Sequence, residues 1–560
     1  MPERSFAKEV ASLRLGEGAE FRGEGILAIT KALLQSGVGY VGGYQGAPIS
    51  HLMDVLSDAQ DILAELEVHF ESSASEAAAA AMLSASVMYP IRGAVAWKST
   101  AGTNVACDAL ANLASGGVKG GALIIIGEDY GEGSSIMQER SHAFAMKSQI
   151  WLLDPRPDLE SIVRAVEYGF ELSEASNTPV MLEVRIRACH LHGRFIAKKN
   201  QQPLFTLAQA LETPMRDTNR IVLPPAAFAH EKEKVERRLP AAIKFITENR
   251  LNEFFHGDLG SVGIILQGGM YNGVMRALQE LEMADVWGHT LVPLYVMNVT
   301  YPLIDSELTA FCRDKSSILV VEEGQQDYIE QALHAILRKS GIPTRVFGKG
   351  VLPMAGEYTA AVLAQGVREF ICAAAPDVLP EGLRASNALS ILTHDEVKAL
   401  AAVVPPRPPG FCTGCPERPI FAAMKLVEKE LGPHHVAADI GCHLFSILPP
   451  FNIGTTTMGY GLGPASASAF GVKAGKRPIA MIGDGGLWHN GLASGVGNAI
   501  FNQHDGVMIV VDITIPPQRA DRTFSPPVRT TGRDRRSTQS RMSSKPWAPN
   551  GSGRSTALTM

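Results

Sequence analysis

The stretch from Ile479 to Asp512 constrains this chain more than any other. An apolar run, Ile479-Ala-Met-Ile, ends in Gly483-Asp484-Gly485; a small-residue helical segment continues to about Gln503; a second apolar run, Val507-Met-Ile-Val-Val, ends at Asp512. Two short apolar runs separated by one helix read as parallel strands with a crossover connection. In such units ligands sit outside the carboxyl ends of the strands. A carboxylate there, Asp484, suits a hard cation bridging phosphates, and the flanking glycines let backbone amides approach closely. Taken alone, Gly-Asp-Gly is also an ordinary strand-to-helix turn.

The same alternation recurs upstream. Gly25 to Ser36 has helical spacing, Gly37 to Tyr44 and Glu67 to Phe70 are short strands, and Ser50 opens a helix with its hydroxyl available as a cap. A helix from Ser72 to Val87 carries Glu76 ahead of a face of alanines. That carboxylate reads either as a helix N-terminal charge or as a desolvated group with a raised pKa. Trp97 to Leu110, including Asn104, joins a strand to a helix; Gly121 to Gly127 is a buried strand ending in the polar loop 128–141; Leu152 to Pro157 and Pro179 to Arg185 complete the set. A second unit runs through Val262–Leu266, Asn272–Glu282, Thr290–Leu294 and Ser317–Gly324. The fold class is α/β, multidomain, with doubly wound parallel sheets. Between these units, Ala229 to Arg238 reads as a solvated charged helix. Glu322-Glu323 reads as capping charge, while the resemblance of residues 258–350 to a transketolase C-terminal-type domain implies an inter-domain contact.

At 560 residues the chain has room for several cores. No apolar run is long enough to cross a bilayer and the start lacks a signal-peptide pattern, so the expected location is the cytoplasm, with no membrane partner. Seven cysteines with one Cys-x-x-Cys fit a reducing compartment and a metal or cluster role better than a disulfide framework. Net charge is −6; residues 513–560 hold eight Arg and one Lys against two Asp, +7, leaving −13 on the remainder. That acidic body argues against nucleic acid as a partner.

Tyr44-Gln-Gly46-Ala-Pro48-Ile-Ser resembles the Tyr-Pro-Gly-Thr-Pro-Ser turn of the 2-oxoacid:ferredoxin oxidoreductases. Lys98 to Gly121 and the Gly-Glu-Asp-Tyr-Gly-Glu-Gly-Ser-Ser loop resemble the alpha subunit of indolepyruvate ferredoxin oxidoreductase. The Gly483-Asp484-Gly485 stretch resembles the thiamine diphosphate motif of that family. The resemblance implies a pyrimidine-binding domain (1–200), a connector (201–257), a transketolase C-terminal-like domain (258–350), a helical linker (351–405) and a diphosphate-binding domain (406–512). It implies thiamine diphosphate contacted by Gly46, Pro48, Glu76, Asn104, Gly459, Gly461, Gly483, Asp484 and Gly485. Within that set Glu76 bonds the aminopyrimidine, Asp484 holds Mg2+, and His489 contacts the substrate carboxylate. Cys412, Cys415 and Cys442 resemble ligands of a proximal [4Fe-4S] cluster, with zinc or three structural thiols as the alternatives. Implied activity is oxidative decarboxylation of an arylpyruvate to the acyl-CoA, with coenzyme A, ferredoxin and a partner subunit or fused gamma-type domain as partners, and dimerisation. The rivals are a non-oxidative thiamine decarboxylase or carboligase, and a non-catalytic fragment that only associates with a partner subunit.

Two departures stand out near Pro48: Gln45 replaces Pro, and Ala47 replaces a hydroxyl-bearing Thr. A third follows Asp512, where the motif's Asn should come but Ile513 stands, opening an Arg-, Ser-, Thr- and Pro-rich tail without apolar periodicity. Such a tail reads as a disordered arm. Restoring one nucleotide behind codon 512 lets permitted codons of the next ten residues spell Asn-Tyr-Tyr-Ser-Ala-Ala-Thr-Gly-Gly-Gln, which resembles the family's continuation. The hypothesis is that residues 513–560 are a frameshift product. Sequencing the coding DNA across codon 512 is expected to find a lost base; an unambiguous in-frame Ile codon would refute it.

Overall fold

The computed structural model describes residues 4–131, 137–385, 395–404, 410–470, 475–512 and 557–559. Two compact units emerge, Ser5–Val403, and Val404–Met560 with Met1–Arg4. Both are layered α/β structures, as the alternation of apolar runs requires.

In the first unit, Glu20–Glu24 (β1) pairs antiparallel with the later strand His192–Ile196 (β8) as a small ribbon. The main sheet contains Tyr40–Gly43 (β2), His69–Ser72 (β3), Gly93–Lys98 (β4), Ala122–Glu128 (β5), Trp151–Leu153 (β6), Val180–Arg185 (β7) and Val299–Tyr301 (β12). Their order is β12-β6-β7-β5-β4-β2-β3, parallel except for β12. Every residue of β5 and β7 is buried, as expected where helices cover both faces. Helices Gly25–Gln35, Ser50–Asp58 and Leu159–Ser176 contribute to one core layer, and Glu76–Met82 and Asn104–Gly116 to the other.

A second sheet in this unit joins Glu253–Phe255 (β9), Val262–Gln267 (β10), Leu294–Met297 (β11), Ser317–Val321 (β13) and Arg345–Phe347 (β14) in the order β14-β13-β10-β11-β9, with β9 antiparallel at the edge. The helix Ala360–Ala374 buries Leu363, Val367, Phe370 and Ile371 in its core. This part of the expected linker is therefore structural: a 15-residue helix with one apolar face covers a sheet face rather than bridging solvent. Helices Glu381–Ala385 and Asp395–Val403 follow it.

Charge ties the two sheets together. Glu322 accepts hydrogen bonds from the amides of Ile329 and Glu330 at 3.0 and 3.2 Å, at the start of the helix Tyr328–Lys339, and also pairs with buried Arg140 at 2.9 Å. Glu323 pairs with Arg185 and accepts from the Tyr358 amide at 2.6 Å. Both readings of this Glu pair hold at once, capping and contact between the lobes.

Three sequence expectations are corrected. The segment 72–87 is two helices, Glu76–Met82 and Ala85–Met88, capped by Ser75, whose side chain accepts from Ala78 N. Ser50 is the first helical residue, with Ile49 at the cap position, so its hydroxyl makes no cap bond. The charged stretch near 229–238 is helical but not solvated at its end. Arg238 is buried and donates to the carbonyls of Ala114, Ser115 and Gly116 at 3.0–3.2 Å, supplying partners and positive charge to the carboxyl end of Asn104–Gly116.

The second unit holds Val436–Ala438 (β15), Ile479–Gly483 (β16), Val507–Val511 (β17) and Ala557–Thr559 (β18), parallel and in that order. Gly483 lies opposite Val511 in the β16–β17 register, so the parallel pair expected from the sequence is present. Three residues of the tail expected to lack regular structure thus form a strand; 513–556 lie outside the described residues, as do 132–136 of the polar loop after β5. Among the described residues no helix is long and apolar enough to cross a membrane.

Candidate functional site

In the main sheet the chain reverses its direction of growth between β2 and β4: β3 lies on one side of β2, and β4, β5 and β7 on the other. Such a switch opens a crevice at the carboxyl ends of the strands. The loop after β2 carries Gly46 and buried Pro48. A Cβ on Gly46 would lie 2.8 Å from the Lys98 Cβ at the end of β4, so only glycine lets the two loops approach this closely. Gln45, at the position of the family's Pro, donates to Asp54 at 3.4 Å.

Glu76 opens the helix Glu76–Met82 and is only 5% exposed, which makes it a buried carboxylate rather than a solvated end charge. Over it closes the loop Ser99–Thr103: a Cβ on Gly102 would stand 3.2 Å from Glu76 Cγ and 2.8 Å from Trp97 Cδ1. Ala101 holds φ +70°, ψ −47°, a region an alanine adopts only at a cost of about 1–3 kcal/mol, and such strain gathers at functional loops. Asn104 follows; it is exposed and donates to Glu139 at 2.9 Å.

Two further groups here were not singled out from the sequence. Burial lowers the Lys98 amine, against the charges of Asp129 and Glu128. Glu128, fully buried at the end of β5, is pushed up to about 7 by burial, against hydrogen bonds from Ser141 and Ser99, and its Oε1 has no hydrogen-bond partner. Their signal was a charge ending an apolar strand, which also marks any strand leaving a core.

In the second unit Asp484 begins the helix directly after β16 and is half-buried. Burial raises its carboxyl first, the like charge of Asp512 at the end of β17 adds to this, and the Gly485 amide opposes it. Two carboxylates held in mutual repulsion at adjacent strand ends are the donor chemistry a hard cation relieves. A Cβ on Gly485 would meet Tyr460 Oη at 2.6 Å, and one on Gly461 would meet Asn490 Cβ at 2.7 Å; Gly459 and Gly461 also hold positive φ, +121° and +77°. Asp439, fully buried after β15, accepts from Gly461 N through both oxygens at 2.9 Å and from Ile440 N at 2.8 Å, pinning the glycine loop. Burial pushes its carboxyl up to about 6, against those amides.

His489 lies in the helical segment Leu487–Gly497, not a loop; it is buried, with its ring centroid 4.8 Å from that of Tyr460. Glu417 and His443 add a buried pair, carboxylate to ring nitrogen at 4.0 Å. Burial, and then the charge of Asp484, push Glu417 up to about 7, while burial takes His443 down to about 4. Cys412 and Cys442 are exposed and Cys415 is half-buried, all as free thiols. Burial raises the Cys442 thiol, and Glu417, Cys415 and Cys412 add to this, so the three sulfurs share one neighbourhood. Among the described residues, however, no three His, Cys, Asp or Glu side chains converge as ligands of one metal ion. As placed, the cysteine set does not fit a cluster.

Residues 439–512 match the family "Thiamine pyrophosphate enzyme, C-terminal TPP binding domain". The match runs from Asp439, directly after β15, through Asp512. Indolepyruvate oxidoreductase subunit IorA of Methanothermobacter marburgensis is 27% identical over 493 residues, 87% of this chain and 74% of that protein. Its counterpart in Archaeoglobus fulgidus is 27% identical over 497 residues, with 87% and 73% covered. The chain is similar to these subunits over 87% of its length. Those relatives are named oxidoreductases, and the matched family is a thiamine pyrophosphate-binding domain. A solved 2-oxoglutarate:ferredoxin oxidoreductase from Magnetococcus marinus is similar at 16% identity and TM-score 0.46, covering 63% of this chain and 65% of that one.

The buried carboxylate Glu128 gives a pH prediction. A carboxyl raised on folding contributes stability that is full below its ordinary value of 4.5 and is lost as pH rises through about 7. Urea midpoints measured between pH 5 and 8 should fall for the wild type and fall less steeply for Glu128→Gln; equal slopes would contradict the assignment.

Proposed function

We propose that this chain takes part in the oxidative decarboxylation of an arylpyruvate to its acyl-CoA, with thiamine diphosphate and Mg2+ as cofactors and ferredoxin as electron acceptor. The observation that carries the reading is the Gly483-Asp484-Gly485 turn at the carboxyl end of β16. There a carboxylate repelled by Asp512 stands beside Gly485, where a Cβ would meet Tyr460 Oη at 2.6 Å. The matched domain and the names of the relatives support the cofactor and the substrate class.

When bound, thiamine diphosphate supplies the electron sink that loss of carbon dioxide from a 2-oxo acid requires. This chain's residues do the rest by position and charge. Asp484 would hold the cation, and the loops carrying Gly459, Gly461, Gly483 and Gly485 would receive the diphosphate. Glu76, buried under the Ser99–Thr103 loop, would hydrogen-bond the aminopyrimidine ring of the cofactor. Gly46, Pro48 and Asn104 shape the turn and loop that receive the pyrimidine. His489, packed on Tyr460, orients the substrate carboxylate. Electron transfer through Cys412, Cys415 and Cys442 is left out, since their arrangement does not fit a cluster; a partner subunit or fused domain carries the electrons onward.

Two variants separate the roles. Calorimetric titration with thiamine diphosphate and Mg2+ should show binding weakened at least about tenfold in Asp484→Ala, the loss of about 1.4 kcal/mol. Glu76→Gln should bind normally and lose about 10²–10⁴-fold in anoxic viologen-dye reduction by indolepyruvate and coenzyme A, assayed with the partner subunit. Unchanged affinity in Asp484→Ala would overturn the diphosphate assignment. Faster dye reduction with 2-oxoglutarate than with indolepyruvate would overturn the substrate class.

A further inference from the structure

The helix Asn104–Gly116 starts where the loop Ser99–Thr103 ends, and the helix Ser141–Ser148 starts where the polar loop after β5 ends. Non-covalent ties already join these segments: Ser99 Oγ to Ser141 Oγ at 2.7 Å and Asn104 to Glu139 at 2.9 Å. Further along these helices, Lys147 Nζ lies 2.7 Å from Cys107 Sγ. Cys107 is half-buried and Lys147 exposed, so small oxidants can reach both. Lys147 forms no ion pair and Cys107 no other hydrogen bond among the described residues.

The separation is informative. N–H···O hydrogen bonds span roughly 2.7–3.2 Å, and sulfur, a larger acceptor, holds a donor farther away. At 2.7 Å the amine and the thiol stand as two atoms do when one oxygen is bonded to both.

We propose that Cys107 and Lys147 form an oxidative cross-link, Sγ–O–Nζ, that locks these two helices together. Peroxide is the oxidant. The thiol is first converted to the sulfenic acid, the first reversible stage of cysteine oxidation, and the neighbouring amine captures its oxygen under a second peroxide. In balance, one thiol, one neutral amine and two hydrogen peroxide molecules give the bridge and three waters. An S–H and an N–H bond break, an S–O and an O–N bond form, and sulfur and nitrogen give up two electrons each to the two peroxides. A thiol reductant reverses it. The lock fixes the loop over Glu76 against the polar loop after β5, a consequence that rests on the site reading above; the cross-link itself does not.

Peptide mapping of the full chain after peroxide tests it. The expected product is a peptide pair joining Cys107 to Lys147, heavier than the sum of its parts by about 14 Da, one oxygen gained and two hydrogens lost. Trypsin should no longer cut after Lys147, and dithiothreitol should restore the cut. The pair should be absent in Cys107→Ser and in Lys147→Arg, the second keeping the charge and the fold. Cys107 recovered as sulfinic or sulfonic acid beside an unmodified Lys147, or a direct S–N link lacking the oxygen, overturns the proposal. The thiamine diphosphate titration of Asp484→Ala tests the site reading separately, so failure of one is not failure of the other.

Discussion

Parallel pairing is the constraint on which this structure depends. Strands that run the same way present all their carboxyl ends along one edge, so the loops that follow them become neighbours however far apart they lie in the chain. In the first unit this brings the Gly46 turn, the Lys98–Thr103 loop and Glu128 to one edge from β2, β4 and β5. In the second it brings Asp439, Asp484 and Asp512 to the ends of three successive strands, β15, β16 and β17. Catalytic potential follows from the topology before any side chain is chosen.

Choice of side chain then sets the electrostatics. Buried carboxylates are costly unless hydrogen-bonded or paired, and the chain handles them in two ways. Where a charge has structural work it is fully engaged: Glu322 and Glu323 take arginines from the other lobe and helix amides from their own, and Asp154 takes two nitrogens of Arg185 at 2.6 and 3.2 Å. Elsewhere the carboxyls stay raised, by burial and like charge at Asp484 and Glu417 and by burial at Glu128.

Much of this was legible in the sequence. The β16–helix–β17 unit, the two α/β lobes and the positions of Glu76 and Asp484 at element starts all follow from apolar periodicity and turn residues, which are local signals. What was not legible depends on contacts far apart in the chain. Arg238 reads as one more solvated charge until the end of Asn104–Gly116 arrives beside it. Asp439 carries no local signal, because its partner, Gly461, lies 22 residues on. The helix Ala360–Ala374 passed for linker since its apolar face has meaning only against the second sheet. Conversely, the Cys412, Cys415 and Cys442 spacing suggested a ligand set, yet spacing does not specify the directions in which thiols point.

The central claim is that the strand-end loops around Gly461 and Asp484 engage thiamine diphosphate. Hydrogen exchange of the full chain, with and without thiamine diphosphate and Mg2+, tests it most directly, because backbone amides report each loop separately. The account predicts slowed exchange at residues 459–463 and 483–490. Exchange unchanged at both stretches, with the ligand bound, would contradict it.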